Sequence, residues 1–435
     1  MKTTFGTDGI RGQAGTEITT ELAFRLGAVM KSTIGTESLI IGHDTRESSP
    51  ELANALAEGA MVAGTDVILV GVAPTPVIAH YAKHANLDAV VITASHNPYE
   101  DNGLKVFKRG QKPSPTDEKA IEASITDFTP PNTVKRGEEK DAGAVFDVYH
   151  ALYRKLNLEP INLSVVVDCA NGATCDVAKG ILPALVDEAH FIHDAPDGKN
   201  INAGCGATNL DNLIAEVKAK TADLGIAFDG DGDRVMLVDH AGQVVDGESI
   251  VYLLARWLKE RDALNKNTVV LTKMANPGLI RALKAEGISV SLTDIGDKYV
   301  VAEMRRLSAD IGGEGSGHVI VRPYMHTGDG LLVAVLVLSR LQELKLPLAS
   351  ALKNVKPDPL ITTNVRVKDK RVIDDKQVKT AIKAAEKTLK DGLLLVRKSG
   401  TEPLIRITVS HRDETLMKTA VETIKTAIEN SGVKP

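Results

Sequence analysis

A loose threefold recurrence organises most of the chain. Each copy consists of β-rich runs and a helical stretch and closes on a polar loop, and the copies begin near residues 39, 164 and 268. Ser95, Asp229 and Glu314 stand just after the third β-rich run of their respective copies. This alternation predicts α/β units, with chance resemblance between the copies as the alternative. Because ligands of open α/β sheets bind beyond the carboxyl ends of strands, we expect the three loops to face one cleft.

The last part of the chain changes character. From about residue 360, two β-rich runs bracket a Lys-rich helical stretch at 376–390, and a strand at 404–409 and a helix near 413–430 complete an α+β module. The segment 112–140 is rich in Pro, Thr and charge and is interpreted as an excursion towards a linker. We therefore predict four domains, at residues 1–150, 151–250, 251–360 and 361–435.

Composition excludes two classes of protein. The chain has 52 Lys and Arg against 57 Asp and Glu, a net charge of −5, which excludes a globally basic nucleic-acid binder. One Trp, seven Tyr and seven Phe leave few rings for stacking, so recognition must be mostly polar. The longest apolar run, 331–338, is far shorter than the ~20 residues that span a bilayer. We expect no membrane association.

The cell compartment is predicted from two further features. The first eight residues contain no apolar core typical of a signal peptide. The three cysteines form no zinc-binding pattern, and small buried thiols in a reducing compartment explain them. We predict a cytoplasmic protein, whose oligomeric state, including a homodimer, the sequence leaves open.

The segment 229–234, DGDGDR, carries the most specific chemistry. Alternate carboxylates let Asp229, Asp231 and Asp233 converge on one hard cation. A calcium-binding EF-hand does not fit, because Arg234 and His240 stand where that loop needs Gly and Glu. An acidic turn without metal is the alternative, but three carboxylates this close repel unless a cation neutralises them. We predict one Mg²⁺ per chain.

The segment 93–98, TASHNP, directly follows an apolar run, and Pro98 prevents an immediate helix. Ser95 would then be exposed at a strand end. Its neighbour His96 suggests nucleophilic catalysis, although adjacent side chains usually point apart and no G-x-S-x-G elbow surrounds the serine. Taken alone, an ordinary turn serine is the alternative.

Two glycine-containing loops offer groups that bind sugars and phosphates. The segment 312–318 carries Glu314, Ser316 and His318 on a pliable backbone, with a bare glycine turn as the alternative. The turn at 397–403, with Arg406 beyond it, combines guanidinium, hydroxyl and backbone N–H donors suited to a phosphate, with a plain hairpin turn as the alternative. Arg11, in the glycine-rich segment 5–12, and Lys105 are further cations that could join the site, although each alone is typical of a solvated surface charge.

Taken together, these segments resemble the α-D-phosphohexomutase superfamily, in the order phosphoserine, metal, sugar and phosphate loop, over essentially the whole chain. The resemblance implies that Ser95 carries an activating phosphoryl group and holds Mg²⁺ with the three aspartates. Our candidate catalytic residues are Ser95, Arg11, His96, Lys105 and His318, and which of them moves protons is open. Our candidate substrate-binding residues are Arg234, Glu314, Ser316, Arg397, Ser399, Gly400, Thr401 and Arg406.

The implied fold has three similar α/β mixed-sheet domains around a central cleft and a smaller C-terminal α+β domain. Segments 5–12 and 200–208 favour the branch that interconverts glucosamine 6-phosphate and glucosamine 1-phosphate through a bisphosphate, feeding UDP-N-acetylglucosamine and cell-wall synthesis. Glucose or mannose phosphate is the nearest rival substrate. A metal phosphatase and a non-catalytic sugar-phosphate binder are rival interpretations from different functional classes. Three departures from the usual pattern, Gly315, Lys398 and Lys298, put substrate preference and loop stiffness in question.

Overall fold

The computed structural model describes residues 3–132, 135–399 and 402–431. Its strands form separate sheets of six, five, four and three strands. Among the described residues, no helix combines the length and the apolar character needed to cross a membrane.

The first sheet is mixed and has the strand order β1-β5-β4-β2-β3-β6. Its strands are β1 (Ile10–Gln13), β2 (Ser38–His43), β3 (Asp66–Val72), β4 (Asp88–Ile92), β5 (Asp101–Phe107) and β6 (Glu139–Lys140). The helices are α1 (Thr20–Ile34), α2 (Ser49–Val62), α3 (Thr75–Ala85) and α4 (Pro115–Thr126). β2 pairs in parallel with β3 and β4, and the chain then returns antiparallel along β5.

The interpretation of 112–140 as an excursion towards a linker was wrong for much of that segment. Ser114 and Asp117 form a capping box that starts α4, and Pro115 occupies a first-turn position where proline is tolerated. Near its other end, β6 adds an edge strand parallel to β3. Ser114 and Pro115, which are also common in turns, here mark the start of a helix and not a loop.

The second and third sheets repeat the topology of the first. The second has the order β11-β10-β9-β7-β8. Its elements are α5 (Ala144–Leu156), β7 (Ile161–Asp168), α6 (Cys175–Ile181), β8 (Val186–Ile192), α7 (Asp211–Lys220), β9 (Leu224–Phe228), β10 (Val235–Asp239) and β11 (Val244–Val245). The third has the order β13-β12-β14-β15. Its elements are α8 (Gly247–Glu260), β12 (Thr268–Thr272), α9 (Pro277–Ala285), β13 (Ser289–Thr293), α10 (Asp297–Leu307), β14 (Ile311–Gly313), β15 (Val319–Val321), α11 (Gly330–Leu344) and α12 (Leu348–Ala351).

The repeated unit has four strands, which are β2–β5 in the first sheet, β7–β10 in the second and β12–β15 in the third. In each unit the first strand pairs in parallel with the second and the third, and the fourth runs antiparallel beside the third. The polar loops follow the third strand each time: Ser95 after β4, Asp229 after β9 and Glu314 after β14. The recurrence in the sequence is therefore a repeat of topology, which places chemically different loops at equivalent positions.

The C-terminal domain is smaller and has an antiparallel sheet of order β16-β18-β17. Its elements are β16 (Leu360–Arg366), α13 (Lys376–Thr388), β17 (Leu393–Lys398), β18 (Leu404–Ser410) and α14 (Glu414–Asn430). It has its own apolar core, whereas one continuous core runs through parts of the first three domains. These sheets confirm the predicted fold class.

Helix α11 is the central element of the shared core. Its apolar run, 331–338, is buried on all sides, which explains a hydrophobic stretch with no polar face. Asp329 caps the helix and is buried. Its carboxyl group has partners there, since it accepts hydrogen bonds from the Leu332 N–H at 3.0 Å and from the Tyr149 hydroxyl at 2.9 and 3.0 Å. Burial raises the pKa of Asp329 to about 7. Below about pH 7, the carboxyl group therefore favours its protonated form in the folded state.

This cap predicts a pH dependence of stability. A carboxyl whose pKa rises from 3.8 unfolded to about 7 folded stabilises the fold at low pH and loses that contribution as the pH rises towards 7. Asp329→Asn, which keeps the cap and cannot ionise, should gain about 2–3 kcal/mol over the wild type between pH 5 and pH 8. Urea unfolding followed by the fluorescence of the single Trp257, in α8 of the same domain, measures the difference.

Asp246→Asn is the matched control, since Asp246 caps α8 in that domain and is partly exposed. Its unfolding free energy should follow the wild type across the same pH range. An Asp329→Asn curve parallel to the wild type would contradict the assigned pKa.

Candidate active site

Ser95 lies at a strand end, in the turn between β4 and β5, as predicted. The prediction that it is exposed was wrong, because the acidic loop covers it and leaves it no exposed surface. Its backbone adopts a left-handed conformation with φ of 56°. The Ser95 hydroxyl donates to Asp229 Oδ2 at 2.6 Å, and its Oγ lies 3.2 Å from His96 Nδ1. Gly230 passes so close that a Cβ there would lie 2.6 Å from the Ser95 carbonyl oxygen. The serine and the acidic loop are therefore packed directly against each other.

Arg46 binds the backbone of the serine loop, and no sequence motif indicates this role. Its buried guanidinium donates to the carbonyl oxygens of Ser95 at 3.0 Å and Asn97 at 2.9 Å, and also to those of Pro98 and Asp101. Arg46 Nε pairs with the buried Asp44 at 2.8 Å. A buried guanidinium that bonds to successive carbonyl groups fixes the backbone of the serine turn.

The three aspartates converge as the motif predicts. Asp229, Asp231 and Asp233 are buried in the loop between β9 and β10, and one carboxylate oxygen from each lies within 4.8 Å of the others. Among the described residues, Asp231 Oδ1 and Asp233 Oδ1 are buried without a hydrogen-bond partner. Unpartnered carboxylate oxygens are costly to bury unless a cation binds them. These residues fit a divalent cation such as Mg²⁺, with Ser95 Oγ beside them.

Lys105 is a buried counter-ion of this loop and not a surface charge. It is 2% exposed on β5, and its Nζ lies 2.6 Å from Asp231 Oδ2, 2.9 Å from Asp233 Oδ2 and 2.7 Å from Asp8 Oδ2. Burial alone would lower the pKa of Lys105, but the carboxylates raise it well above its ordinary value. Lys105 therefore stays charged and offsets part of the negative charge of the loop.

Six alternating charges close into a ring that joins the first three domains, which we call the charge ring: Asp8, Lys105, Asp233, His318, Asp297 and Lys112. His318 Nδ1 lies 3.6 Å from Asp233 Oδ1, and its Nε2 lies 4.0 Å from Asp297 Oδ2. Lys112 contacts Asp297 and lies 2.7 Å from Asp8 Oδ1. Burial would lower the pKa of His318, but the nearby carboxylate of Asp233 raises it.

Lys112 should contribute measurably to stability, because it is the cation between the carboxylates of Asp8 and Asp297. Lys112→Met would leave both carboxylates without this partner and should cost about 3 kcal/mol, the low end for buried pairs, since the side chains of Lys112 and Asp297 are 17% and 10% exposed. Urea unfolding measures this loss. Lys108→Met is the matched control, because Lys108 pairs with Asp117 near the surface and should lose under about 1 kcal/mol. Equal losses in the two variants would contradict the role of the ring.

The loop between β14 and β15 meets the acidic loop through its backbone, because Val235 N–H donates to Gly317 O at 3.0 Å. Glu314 Oε1 accepts the Gly296 N–H at 2.9 Å, while its Oε2 lies 3.4 Å from the exposed Ser316 hydroxyl. Glu314 and Ser316 thus lie together with a carboxylate oxygen and a hydroxyl available to a ligand.

Glu248 is a buried acid beneath this loop that no sequence motif indicates. A Cβ at Gly315 would lie 3.3 Å from Glu248 Oε1, so the glycine at 315 allows this approach. Burial raises the pKa of Glu248 to about 7. The N–H of Asn276, which donates to Glu248 Oε2 at 2.9 Å, opposes this rise by stabilising the charged form. The absence of a side chain at Gly315, one of the three departures from the family pattern, therefore leaves room for the carboxylate of Glu248.

Four models of the phosphoglucomutase/phosphomannomutase family match the chain in order. They are alpha/beta/alpha domain I at residues 2–130, domain II at 149–242, domain III at 246–357 and the C-terminal domain at 363–427. The phosphoglucosamine mutase of Desulforamulus reducens is 41% identical over 99% of this chain and 100% of its own length. That of Bacillus cytotoxicus is 40% identical over 93% of both.

The chain belongs to the α-D-phosphohexomutase superfamily. Solved structures of the same fold include a phosphoglucomutase/phosphomannomutase family protein from Burkholderia thailandensis, with a TM-score of 0.85, 24% identity and coverage of 100% and 99% of the two chains. An Aspergillus fumigatus N-acetylphosphoglucosamine mutase in complex with GlcNAc-6P and magnesium has a TM-score of 0.67 at 16% identity, with coverage of 99% and 96%. As a phosphohexomutase, the chain is an isomerase that transfers a phosphoryl group.

The guanidinium groups of Arg234 and Arg11 border the serine loop and the aspartate loop. Arg234 Nε lies 3.9 Å from Asp229 Oδ2 and 3.8 Å from Asp233 Oδ1, and it has no hydrogen-bond partner within the part of the chain that the structure describes. Arg11 contacts Asp8, and both arginine side chains are about one-fifth exposed. Burial, followed by the charges of Arg234 and Arg11, lowers the pKa of His96 to about 4. His96 is therefore a neutral imidazole beside Ser95.

The predicted phosphate loop, at 397–403 with Arg406 beyond it, makes no hydrogen bond or ion pair with the site around Ser95 through its described residues. Arg397 on β17 lies opposite Arg406 on β18, and Arg406 Nε donates to Asn364 Oδ1 at 3.1 Å. Gly400 and Thr401 lie outside the described residues. Among the described residues, Arg397, Ser399 and Arg406 make no hydrogen bond or ion pair with the residues around Ser95. The structure brings the loops that follow β4, β9 and β14 together and leaves the fourth loop on its own domain.

Proposed function

We propose that this phosphohexomutase is a phosphoglucosamine mutase that interconverts glucosamine 6-phosphate and glucosamine 1-phosphate through phosphorylated Ser95 and a hexosamine bisphosphate. The observation that carries the reaction is the buried Ser95 hydroxyl, 2.6 Å from Asp229 and next to the aspartate triad. The phosphoglucosamine mutases that match the whole chain support the choice of sugar. The alternatives of phosphoglucomutase or phosphomannomutase activity differ only in that sugar.

The proposed reaction has two reversible phosphoryl transfers. In the first, a sugar hydroxyl oxygen gives up its proton and forms a bond to phosphorus, while the bond between Ser95 Oγ and that phosphorus breaks and the released Oγ takes up a proton. In the second, after the bisphosphate has turned round, Ser95 Oγ gives up its proton and forms a bond to the other phosphorus. The bond between that phosphorus and its sugar oxygen breaks, and the sugar oxygen takes up a proton. The sugar therefore leaves with its phosphate on the other oxygen, and the enzyme regains its phosphoserine.

This chain's own residues supply position and charge for both transfers. A bound Mg²⁺ would neutralise negative charge on the transferring phosphoryl group. Arg46 fixes the serine backbone, and Lys105, held charged by three carboxylates, adds a fixed positive charge to the buried loop. Because Lys105 keeps its proton, it does not serve as a base. The neutral His96, with Nδ1 at 3.2 Å from Ser95 Oγ, is the better proton acceptor.

Substrate recognition is divided between two domains in this proposal. Glu314 and Ser316 would hold sugar hydroxyls close to the metal loop. Arg397, Ser399, Gly400, Thr401 and Arg406 would hold the non-reacting phosphate. The separate core of the C-terminal domain supports a movement that brings this loop to the cleft and releases it while the bisphosphate turns. Three free, buried cysteines suit a reducing cytoplasm, where we place the reaction.

A comparison of substrates tests the proposed sugar. With Mg²⁺ present, we expect kcat/KM for glucosamine 6-phosphate to exceed that for glucose 1-phosphate and mannose 1-phosphate by about 10- to 100-fold. Coupled assays that detect each product measure the three values. Equal or higher values for glucose or mannose would overturn the glucosamine assignment. Release of free phosphate in place of the isomer would instead indicate a metal phosphatase.

A further inference from the structure

A second group of metal-ligand side chains lies at the carboxyl edge of the second sheet. Asp168 ends β7, His193 follows β8, and Cys205 lies in the loop that leads to α7. A carboxylate oxygen, a ring nitrogen and the thiol sulfur of these residues all lie within 4.8 Å of one another. The group shares no residue with the aspartate triad, and the phosphohexomutase reaction does not use it.

The inward-facing atoms of this group have few other partners. His193 Nδ1 is buried and lies 3.1 Å from Asp168 Oδ1, but it makes no aligned hydrogen bond with any described residue. The other ring nitrogen, Nε2, lies 3.4 Å from Asn212 Nδ2. Among the described residues, the hydrogen-bond contact of the Cys205 sulfur is a long one, 3.9 Å from Asn171 Nδ2. The nitrogen lies at ion-pair distance from the carboxylate, and the nitrogen, the sulfur and a carboxylate oxygen are close enough together to share one ion.

The backbone holds these side chains in place. Asp168 accepts the N–H groups of Ala170 at 2.9 Å and Gly206 at 2.8 Å, which ties Cys205, the neighbour of Gly206, to the end of β7. Ala170 and His193 both adopt left-handed backbone conformations, with φ of 54° and 46°. Strained backbone at non-glycine residues persists where the surroundings impose it, as they do at ligand sites.

We propose that Asp168, His193 and Cys205 form a second metal site, selective for Zn²⁺ or another thiophilic divalent cation over Mg²⁺. Thiolate, imidazole and carboxylate together are a typical ligand set for zinc, and three protein ligands leave a fourth tetrahedral position for water. The thiolate and the carboxylate carry two negative charges that balance a dication. The side chain of His193 is 25% exposed and offers a path from solvent.

Binding at this site must release a proton. Metal ions bind the thiolate form of cysteine, so the proton of the Cys205 thiol leaves when the metal–sulfur bond forms. Calorimetric titration with Zn²⁺ in two buffers of different ionisation enthalpy should therefore show release of about one proton or more per bound ion.

Cobalt titration of the full chain tests the site directly. With Mg²⁺ at saturation, Co²⁺ should bind at one equivalent, give the visible bands of a tetrahedral ion and a near-ultraviolet thiolate-to-cobalt band, and be displaced by Zn²⁺. Cys205→Ser should remove the thiolate band. His193→Gln should weaken Zn²⁺ binding by at least ~10-fold while the thiolate band remains at high Co²⁺.

The controls separate these ligands from their neighbours. Cys175→Ser removes another buried thiol of this domain, and His190→Gln changes a histidine on β8 that faces Glu216, so both should titrate like the wild type. Absence of a thiolate band in the wild type, its persistence in Cys205→Ser, its loss in Cys175→Ser, or unchanged affinity in His193→Gln would each overturn the proposal. None of these readouts depends on mutase activity, so failure here leaves the proposed function standing.

Discussion

Ser95→Ala should abolish mutase activity, with a fall in turnover of about 10⁴- to 10⁶-fold, the range seen when a covalent nucleophile is removed. The side chain that would accept the phosphoryl group is lost, while the hydrogen bonds that the Arg46 and Asn202 side chains donate to the Ser95 carbonyl oxygen remain. Alanine keeps the Cβ that serine already has at this left-handed position and adds no bulk, so the turn should keep its conformation. Coupled assays of glucosamine 6-phosphate turnover measure the loss.

Intact-mass measurement adds a readout that does not depend on turnover. A fraction of the wild-type protein should carry a phosphate-sized increment, and this increment should be missing from Ser95→Ala. Ser32→Ala is the control, because Ser32 is exposed on α1 and its hydroxyl bonds only to its own helix at Val29. An active Ser95→Ala enzyme would sink the phosphoserine mechanism.

Asp231→Asn should weaken the use of Mg²⁺ more than it disturbs the fold. Asparagine has nearly the same size and keeps an oxygen for the Thr75 hydroxyl and for Lys105, which lie 2.5 and 2.6 Å from Asp231 Oδ2. It removes one of three negative charges from the cation site. We expect the Mg²⁺ concentration for half-maximal activity to rise by about 10- to 100-fold. Turnover at saturating Mg²⁺ should fall by about 10²- to 10³-fold.

Activity measured against Mg²⁺ concentration checks both expectations. Asp187→Asn makes the same chemical change at an exposed position on β8 of the same domain and should behave like the wild type. Full activity of the wild type in excess chelator would show that the aspartate loop holds no essential metal.

Several features of this fold could be predicted because their causes are local in sequence. Alternating apolar runs and helical stretches predict the α/β repeat, and the loops after β4, β9 and β14 lie where that alternation places them. The acidic motif indicates a cation site because its three carboxylates are neighbours in the chain. The segment 112–140 was misjudged, since its proline and its charged residues serve both loops and helix starts, and only the capping box at Ser114 distinguishes them.

The sequence alone determined the order of the loops and the type of chemistry that each can support, because those properties reside in short segments. Only the tertiary structure decided which charges meet. Lys105 reaches Asp231 across 126 positions of the chain, and Lys112 reaches Asp297 across 185. Strand register and domain packing set such contacts, and no periodicity or motif encodes them. The role of Arg46 and the proximity of Asp168, His193 and Cys205 also depend on contacts between distant segments, so the sequence alone does not predict them.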